Sequence, residues 1–216
     1  MQKNFRIAGI CLLLGASFLL SKIAVFGQDK RSIKQYQEQA AELSTLFRGR
    51  LPAKYPYLYN GTYFMYGPAF YKGDLFYNGK RYYDVWMNID AFRMDLLVRP
   101  GSEQSPVVAY KNLVCWFTLG AAKYVNLEYM GFEDAPDGYF EILSDGTAPV
   151  LKQIRKTFRS SSQDHNGPDI GYEDPEYKDD VVNYFRFEES FYTIKGGKVE
   201  KIKKRAAKTI RSLSPK

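Results

Sequence analysis

Asn78-Gly79 separates Asp74-Leu75-Phe76-Tyr77 from Lys80-Arg81-Tyr82-Tyr83-Asp84-Val85-Trp86. This dipeptide readily takes the positive φ angles of a type I′ turn, and the runs on either side are rich in strand-forming aromatic residues. A β-hairpin is therefore expected here, and a lone hairpin is not stable, so further strands must join it. Asp145-Gly146 is expected to join Tyr139–Leu143 to Val150–Ile154 through a two-residue loop, and Gly196-Gly197 to turn the chain after Phe191–Ile194. Further strands are expected at Met94–Val98, Val107–Tyr110, Leu113–Leu119 and Tyr124–Tyr129. Many short strands joined by tight turns predict a mainly β (α+β) domain over residues 51-198, an antiparallel meander forming a curved sheet or an open barrel.

Helices are expected only at the two ends. Ile33, Tyr36, Ala40, Leu43 and Phe47 recur at helical spacing and Gly49 follows, which predicts an amphipathic N-terminal helix in segment 28-50 laid over the sheet. At the other end Val199, Ile202, Ala206, Ile210 and Leu213 form a stripe bordered by Lys201, Lys203, Lys204, Arg205, Lys208 and Arg211. This predicts a basic C-terminal helix over 199-216, and those six cations are the candidate contacts to a membrane surface or a partner.

The first 27 residues read as an export signal. Lys3 and Arg6 precede an unbroken apolar or small run from Ile7 to Leu20, and Val25 and Gly27 suit a cut before Gln28. The alternative is a retained anchor, although the run stops short of the roughly 20 residues that a spanning helix needs. Cleavage leaves 28 Lys+Arg against 24 Asp+Glu, with nine of those cations and one acid in residues 195-216. Residues 28-194 therefore carry a net charge of −4, which speaks against a uniformly basic face for nucleic acid. Cys115 is the only cysteine left after the cut, so no disulfide forms within the mature chain; its apolar neighbours predict a buried, inert thiol.

Few residues are available for chemistry. His165 is the only histidine and lies among loop-formers, which excludes a multi-histidine metal site and predicts a solvated side chain. Segment 160-180 is expected to be an acidic loop, but its carboxylates miss the spacing of a calcium loop. Asp90 with Asp95, or Glu188 with Glu189, are nominal carboxylate pairs for glycoside hydrolysis; adjacent strand residues such as the latter pair face opposite ways. No phosphate-cradling glycine loop is present, and neither a cofactor nor a metal site is expected. The 18 Tyr and 15 Phe would serve half-buried sheet faces or line a groove for a ligand.

Gly73-Asp74-Leu75-Phe76-Tyr77-Asn78-Gly79-Lys80-Arg81-Tyr82-Tyr83-Asp84-Val85, with Gly138–Gly146 and the basic end, resembles exported proteins of unknown function from Bacteroidetes-type bacteria. The resemblance departs from that pattern at Asn88-Ile89-Asp90-Ala91-Phe92. It implies export and a β-rich domain, and it carries over no activity and no site residue. The expectation is an exported, noncatalytic binding or interaction protein of the periplasm or outer-membrane surface. Its partner would be an envelope protein or a glycan, not nucleic acid, with peripheral membrane contact through the C-terminal helix. The alternatives are an envelope-glycan hydrolase using a carboxylate pair and a membrane-surface structural protein.

Overall fold

Asn78 (φ 49°) and Gly79 (φ 72°) both adopt the left-handed backbone that the first hairpin requires. They join β1 (Tyr71–Tyr77) to β2 (Lys80–Asp90) in a computed structural model that describes residues 30–40, 44–55, 58–146, 148–160, 183–203 and 210. The export signal at 1–27 lies outside the described residues, as does all of segment 160–180 except Ser160. The remaining strands are β3 (Asp95–Arg99), β4 (Val107–Val108), β5 (Val114–Leu119), β6 (Ala122–Asn126), β7 (Tyr139–Ser144), β8 (Val150–Ser160), β9 (Asn183–Lys195) and β10 (Lys198–Lys201). All ten belong to one open antiparallel sheet in the order β10-β9-β8-β7-β6-β5-β1-β2-β3-β4.

The short link from β4 to β5 dictates how the sheet rolls. Strands β3, β2 and β1 lie between them in the sheet, so a flat arrangement would separate them by about 19 Å. The six steps from Val108 to Val114 reach about 20 Å only when fully extended. Lys111–Leu113 is instead a 3-10 turn, which rises only about 2 Å per residue. The first five strands must therefore curl, and they do so around Leu75, Met87, Ile89, Leu96, Val98, Val114 and Phe117, all fully buried.

Strands β6 to β10 continue the sheet away from this roll. Alternation along them sends Tyr124, Tyr139 and Ile154 to the first cluster and Val125, Phe140 and Leu151 to a second cluster on the opposite face. The stretch after β6 covers this second cluster with Met130, Phe132 and Ala135. Segment 58–65 spans the two parts: Met65 N–H donates to Ile89, Ala91 N–H to Tyr63, and Asn60 N–H to Asn183. On β8, Lys156 N–H donates to the Ala91 carbonyl.

Several expectations are corrected. The helix α1 (Lys30–Ala40) does not run on to Arg48, because Ser44 is extended (ψ 139°) and caps a 3-10 turn at Thr45–Phe47 with its side chain. The basic helix expected from 199 begins as strand β10, since the Gly196-Gly197 turn (φ 54° and 76°) returns the chain to pair with β9. Its continuation beyond Lys203 lies outside the described residues apart from Ile210. The link from β7 to β8 spans residues 145–149 rather than two residues. Strands β8 and β9 also run longer than the sequence indicated, with unbroken pairing from Val150↔Thr193 to Ser160↔Asn183.

Candidate functional site

A bulge in the first hairpin decides which side chains reach the outer face of the rolled sheet. Register jumps between Gly73 and Leu75, leaving an extra residue on β2, and Asp84 there takes φ 54°. Without this extra residue, alternation from Tyr82 would bury Trp86 and expose Val85; with it, Val85 and Met87 are buried and Trp86 turns outward. Gly73 accommodates the bulge because a Cβ there would lie 1.8 Å from the Thr118 carbonyl oxygen. Helix α1 rests beside this point through an ion pair from Lys34 to Asp84 and through Lys30, 5.0 Å from the Tyr83 ring centroid. The Lys34 hydrogen bond pulls the Asp84 carboxyl below its ordinary range, and Lys30 and Lys72 add to that effect.

Two cross-strand rows form on this outer face. In the first, register places Lys72, Trp86 and Arg99 side by side on β1, β2 and β3. Lys72 Nζ lies 5.0 Å and the Arg99 guanidinium 5.5 Å from the Trp86 ring, while the Arg99 guanidinium also lies 4.4 Å from the Phe70 ring centroid. In the second row, Arg81, Phe76, Trp116 and Val125 succeed one another across β2, β1, β5 and β6. Phe76 stacks on Trp116 with an interplanar angle of 17°, Arg81 lies 4.6 Å from Tyr83 and 5.3 Å from Trp116, and Lys123 lies 5.1 Å from Trp116. Arg81 is neutralised by Asp74 at 2.7 Å. Among the described residues Lys72, Arg99 and Lys123 make no ion pair.

Two polar clefts lie elsewhere. One, of about 380 Å³, is lined by Arg50, Asp95, Tyr110, Lys111, Asn112 and Glu128 among others. The second, of about 330 Å³, is lined by Asp137, Gln153, Arg155, Glu188, Tyr192 and Lys201 among others. Asp137 ties them together: it accepts from Lys111 Nζ at 2.8 and 3.0 Å, and its carbonyl accepts from Gln153 and Arg155 at 2.9 and 2.8 Å.

The nominal carboxylate pairs are accounted for by structural roles. Asp90 and Asp95 face each other across β2 and β3, but Arg50 holds Asp95 at 2.5 Å. Buried Asp90 accepts the Phe92 and Arg93 N–H groups on Oδ1 and the Tyr55 hydroxyl on Oδ2 at 2.5 Å, which makes it the brace of its own turn. Burial raises the Asp90 carboxyl above its ordinary value; the Tyr55 and turn hydrogen bonds oppose that shift without cancelling it. Glu188 and Glu189 are consecutive in β9 and so face opposite ways. Cys115 is half-buried, and burial pushes its thiol up despite Lys123, away from the thiolate that a nucleophile needs.

Of the six basic residues singled out at the C-terminal end, the described residues include Lys201 and Lys203. Lys201 is on β10, 6.0 Å from the Tyr192 ring and at the edge of the second cleft, while Lys203 is exposed beyond the strand. Lys204, Arg205, Lys208 and Arg211 lie outside the described residues. His165 does as well. The outer-face residues Lys72, Trp86, Arg99 and Lys123 went unnoticed in the sequence because strand register alone makes them neighbours. Among the described residues no helix is long and apolar enough to cross a membrane, and no cluster of three or more His, Cys, Asp or Glu could hold a metal. No protein-family model matches the chain, and no curated protein or solved structure matches it.

Proposed function

We propose that this is an exported, noncatalytic binding protein of the cell envelope and that it engages its ligand through the outer face of β1, β2, β3, β5 and β6. The observation that carries the reading is the interleaving of Lys72, Arg99 and Lys123, none with an ion pair among the described residues, among Trp86, Trp116 and Phe70. Single contacts of this kind are ordinary in folded proteins, whereas here several gather on one face. Each contact of this kind contributes about 0.5–1 kcal/mol at an exposed site, and aromatic residues with arginine are the usual anchors of binding surfaces. Export rests on the charged and apolar character of residues 1–27.

The test is envelope fractionation of the tagged full chain in its own cells, alongside a Lys72→Glu/Lys123→Glu variant. Both changes are at exposed positions and leave the core untouched. The wild type is expected in the envelope with a mature N-terminus at Gln28, and the variant is expected to be released from its partner. A variant retained like the wild type would remove the outer face from consideration, and a cytoplasmic, unprocessed chain would overturn export.

A hydrolase acting on envelope glycans is the second reading, favoured by the presence of Asp137 and Glu188 in one cleft with Tyr192. Its test is turnover of cell-wall glycan fragments by the wild type and by Glu188→Gln. Absence of turnover, or turnover equal in both, sinks this reading. A third role, as a membrane-surface structural protein, calls for truncation after Lys203. Cutting at residue 199 would remove β10 and confuse anchoring with unfolding.

A further inference from the structure

We infer that the ligand of the outer face is an acidic polysaccharide, held where Lys72 and Arg99 flank Trp86. The inference rests on the binding reading above and adds the chemistry of what is bound.

Two cations converge on the Trp86 ring, and among the described residues neither makes an ion pair. Asp84 attracts Lys72 without forming an ion pair with it, and an anion seated between the two cations would offset their repulsion directly. The arrangement of Arg99 suits that role. Its guanidinium lies over Phe70 at 4.4 Å and beside Trp86 at 5.5 Å, with Nε buried and without a partner among the described residues, so the terminal N–H groups are the ones that could meet a carboxylate or a similar oxyanion. Lys123 on β6 repeats the motif at Trp116 of β5, two strand steps across and two residues along from Lys72 on β1, or about 12 Å.

This spacing selects the class of anion. A polysaccharide with at most one charge per sugar offers sparse anions separated by apolar ring faces, which meet the alternation of cations with Phe70, Tyr83 and Trp116. Duplex DNA carries a charge about every 1.7 Å and calls for a continuous basic field, whereas residues 28–194 sum to −4. A membrane surface calls for exposed apolar side chains that can enter it, and Phe76, Trp86 and Trp116 of this face are only partly exposed.

The experiment titrates the full chain with polygalacturonate, neutral dextran, phosphatidylglycerol vesicles and a single-stranded oligodeoxynucleotide at low and physiological salt. Polygalacturonate is expected to bind and to weaken with salt, dextran to be ignored, and the vesicles and oligonucleotide to bind more weakly than polygalacturonate. Lys72→Gln and Arg99→Gln are each expected to weaken polygalacturonate binding about tenfold, as the loss of one charge-assisted contact does. Lys72→Gln/Lys123→Gln, at two exposed positions, keeps the test valid should Arg99→Gln fail to fold. Equal binding of dextran, preference for vesicles or oligonucleotide, or indifference of polygalacturonate to the lysine variants overturns the inference. If polygalacturonate fails while Lys72→Glu/Lys123→Glu still loses its envelope association, the ligand class is wrong and the binding face stands. If that association also persists, the binding reading itself falls.

Discussion

Asp90 shows how one side chain can look catalytic in a sequence and be architectural in the fold. It is buried, and its three hydrogen bonds join Tyr55 to the turn that leads into β3. Burial, the largest influence on its carboxyl, raises it, so the folded state holds the Asp90 proton more tightly than the unfolded chain does. The sign follows directly: stability from this group rises as pH falls through the raised value and levels off below the ordinary carboxylate value of about 4. Asp90→Asn keeps an acceptor for the Phe92 and Arg93 N–H groups and removes the titrating proton. Its urea midpoint is expected to gain less than that of the wild type between pH 7 and 5. Asp90→Ala orphans both N–H groups and the Tyr55 hydroxyl, and about 1–3 kcal/mol of destabilisation is expected at every pH. A wild-type and Asp90→Asn pair with parallel pH profiles would show that the carboxyl is not desolvated.

At the scale of elements, the hairpin was legible and its bulge was not. Asn78-Gly79 announces the turn because few dipeptides accept two positive φ angles. The jump between Gly73 and Leu75 has no comparable signal, since Asp84 is an ordinary residue until φ 54° is known. An unbulged reading faces Trp86 inward and conceals the Lys72–Trp86–Arg99 row. The full length of β8 and β9 was missed for a related reason: Arg155, Lys156 and Arg186 extend no apolar run, although each takes its place in an unbroken ladder. Helical spacing misled at Val199 and Ile202, because four residues of strand need only a turn behind them and a partner beside them. Gly73→Ala tests the bulge. Its Cβ would meet the Thr118 carbonyl, which belongs to a neighbouring strand and cannot swing aside, so a loss of about 3 kcal/mol or more is expected. For a chain of this size that corresponds to a thermal midpoint lowered by roughly 6–12 °C. Asp84→Gly relaxes the φ angle but removes the Lys34 partner, and a shift within about 1 kcal/mol is expected. A Gly73→Ala midpoint equal to wild type would mean that β1 and β5 do not approach as closely as described.

The whole molecule is held in its rolled form by links that sheet order alone does not contain. Lys156 makes two of them: its N–H meets Ala91 at the end of β2, and its Nζ donates to the Thr62 carbonyl at 2.6 Å. It is buried, without an ion pair among the described residues, and burial lowers its ammonium below the ordinary lysine value. No pattern in the sequence marks a lysine at a position facing Ile154 and the core, because strand alternation predicts an apolar residue there. A folded value below the unfolded one means that the folded chain binds fewer protons at this site, so its contribution grows as pH rises from the lowered value toward about 10.4. Tyr55, Tyr63, Tyr77, Tyr124 and Tyr139 act in the opposite sense near pH 10, since burial raises each of their hydroxyls and folding then resists ionisation. Comparison with Lys156→Met cancels the tyrosines and isolates the lysine. Methionine keeps most of the apolar stem and leaves the Thr62 carbonyl unpaired, so at pH 7 the two proteins are expected within about 2 kcal/mol of each other. Between pH 7 and 9.5 the wild type should gain on the variant in urea unfolding. A flat or falling difference would mean that Lys156 keeps its proton with water at hand, and that the closure between segment 58–65 and β8 is open to solvent.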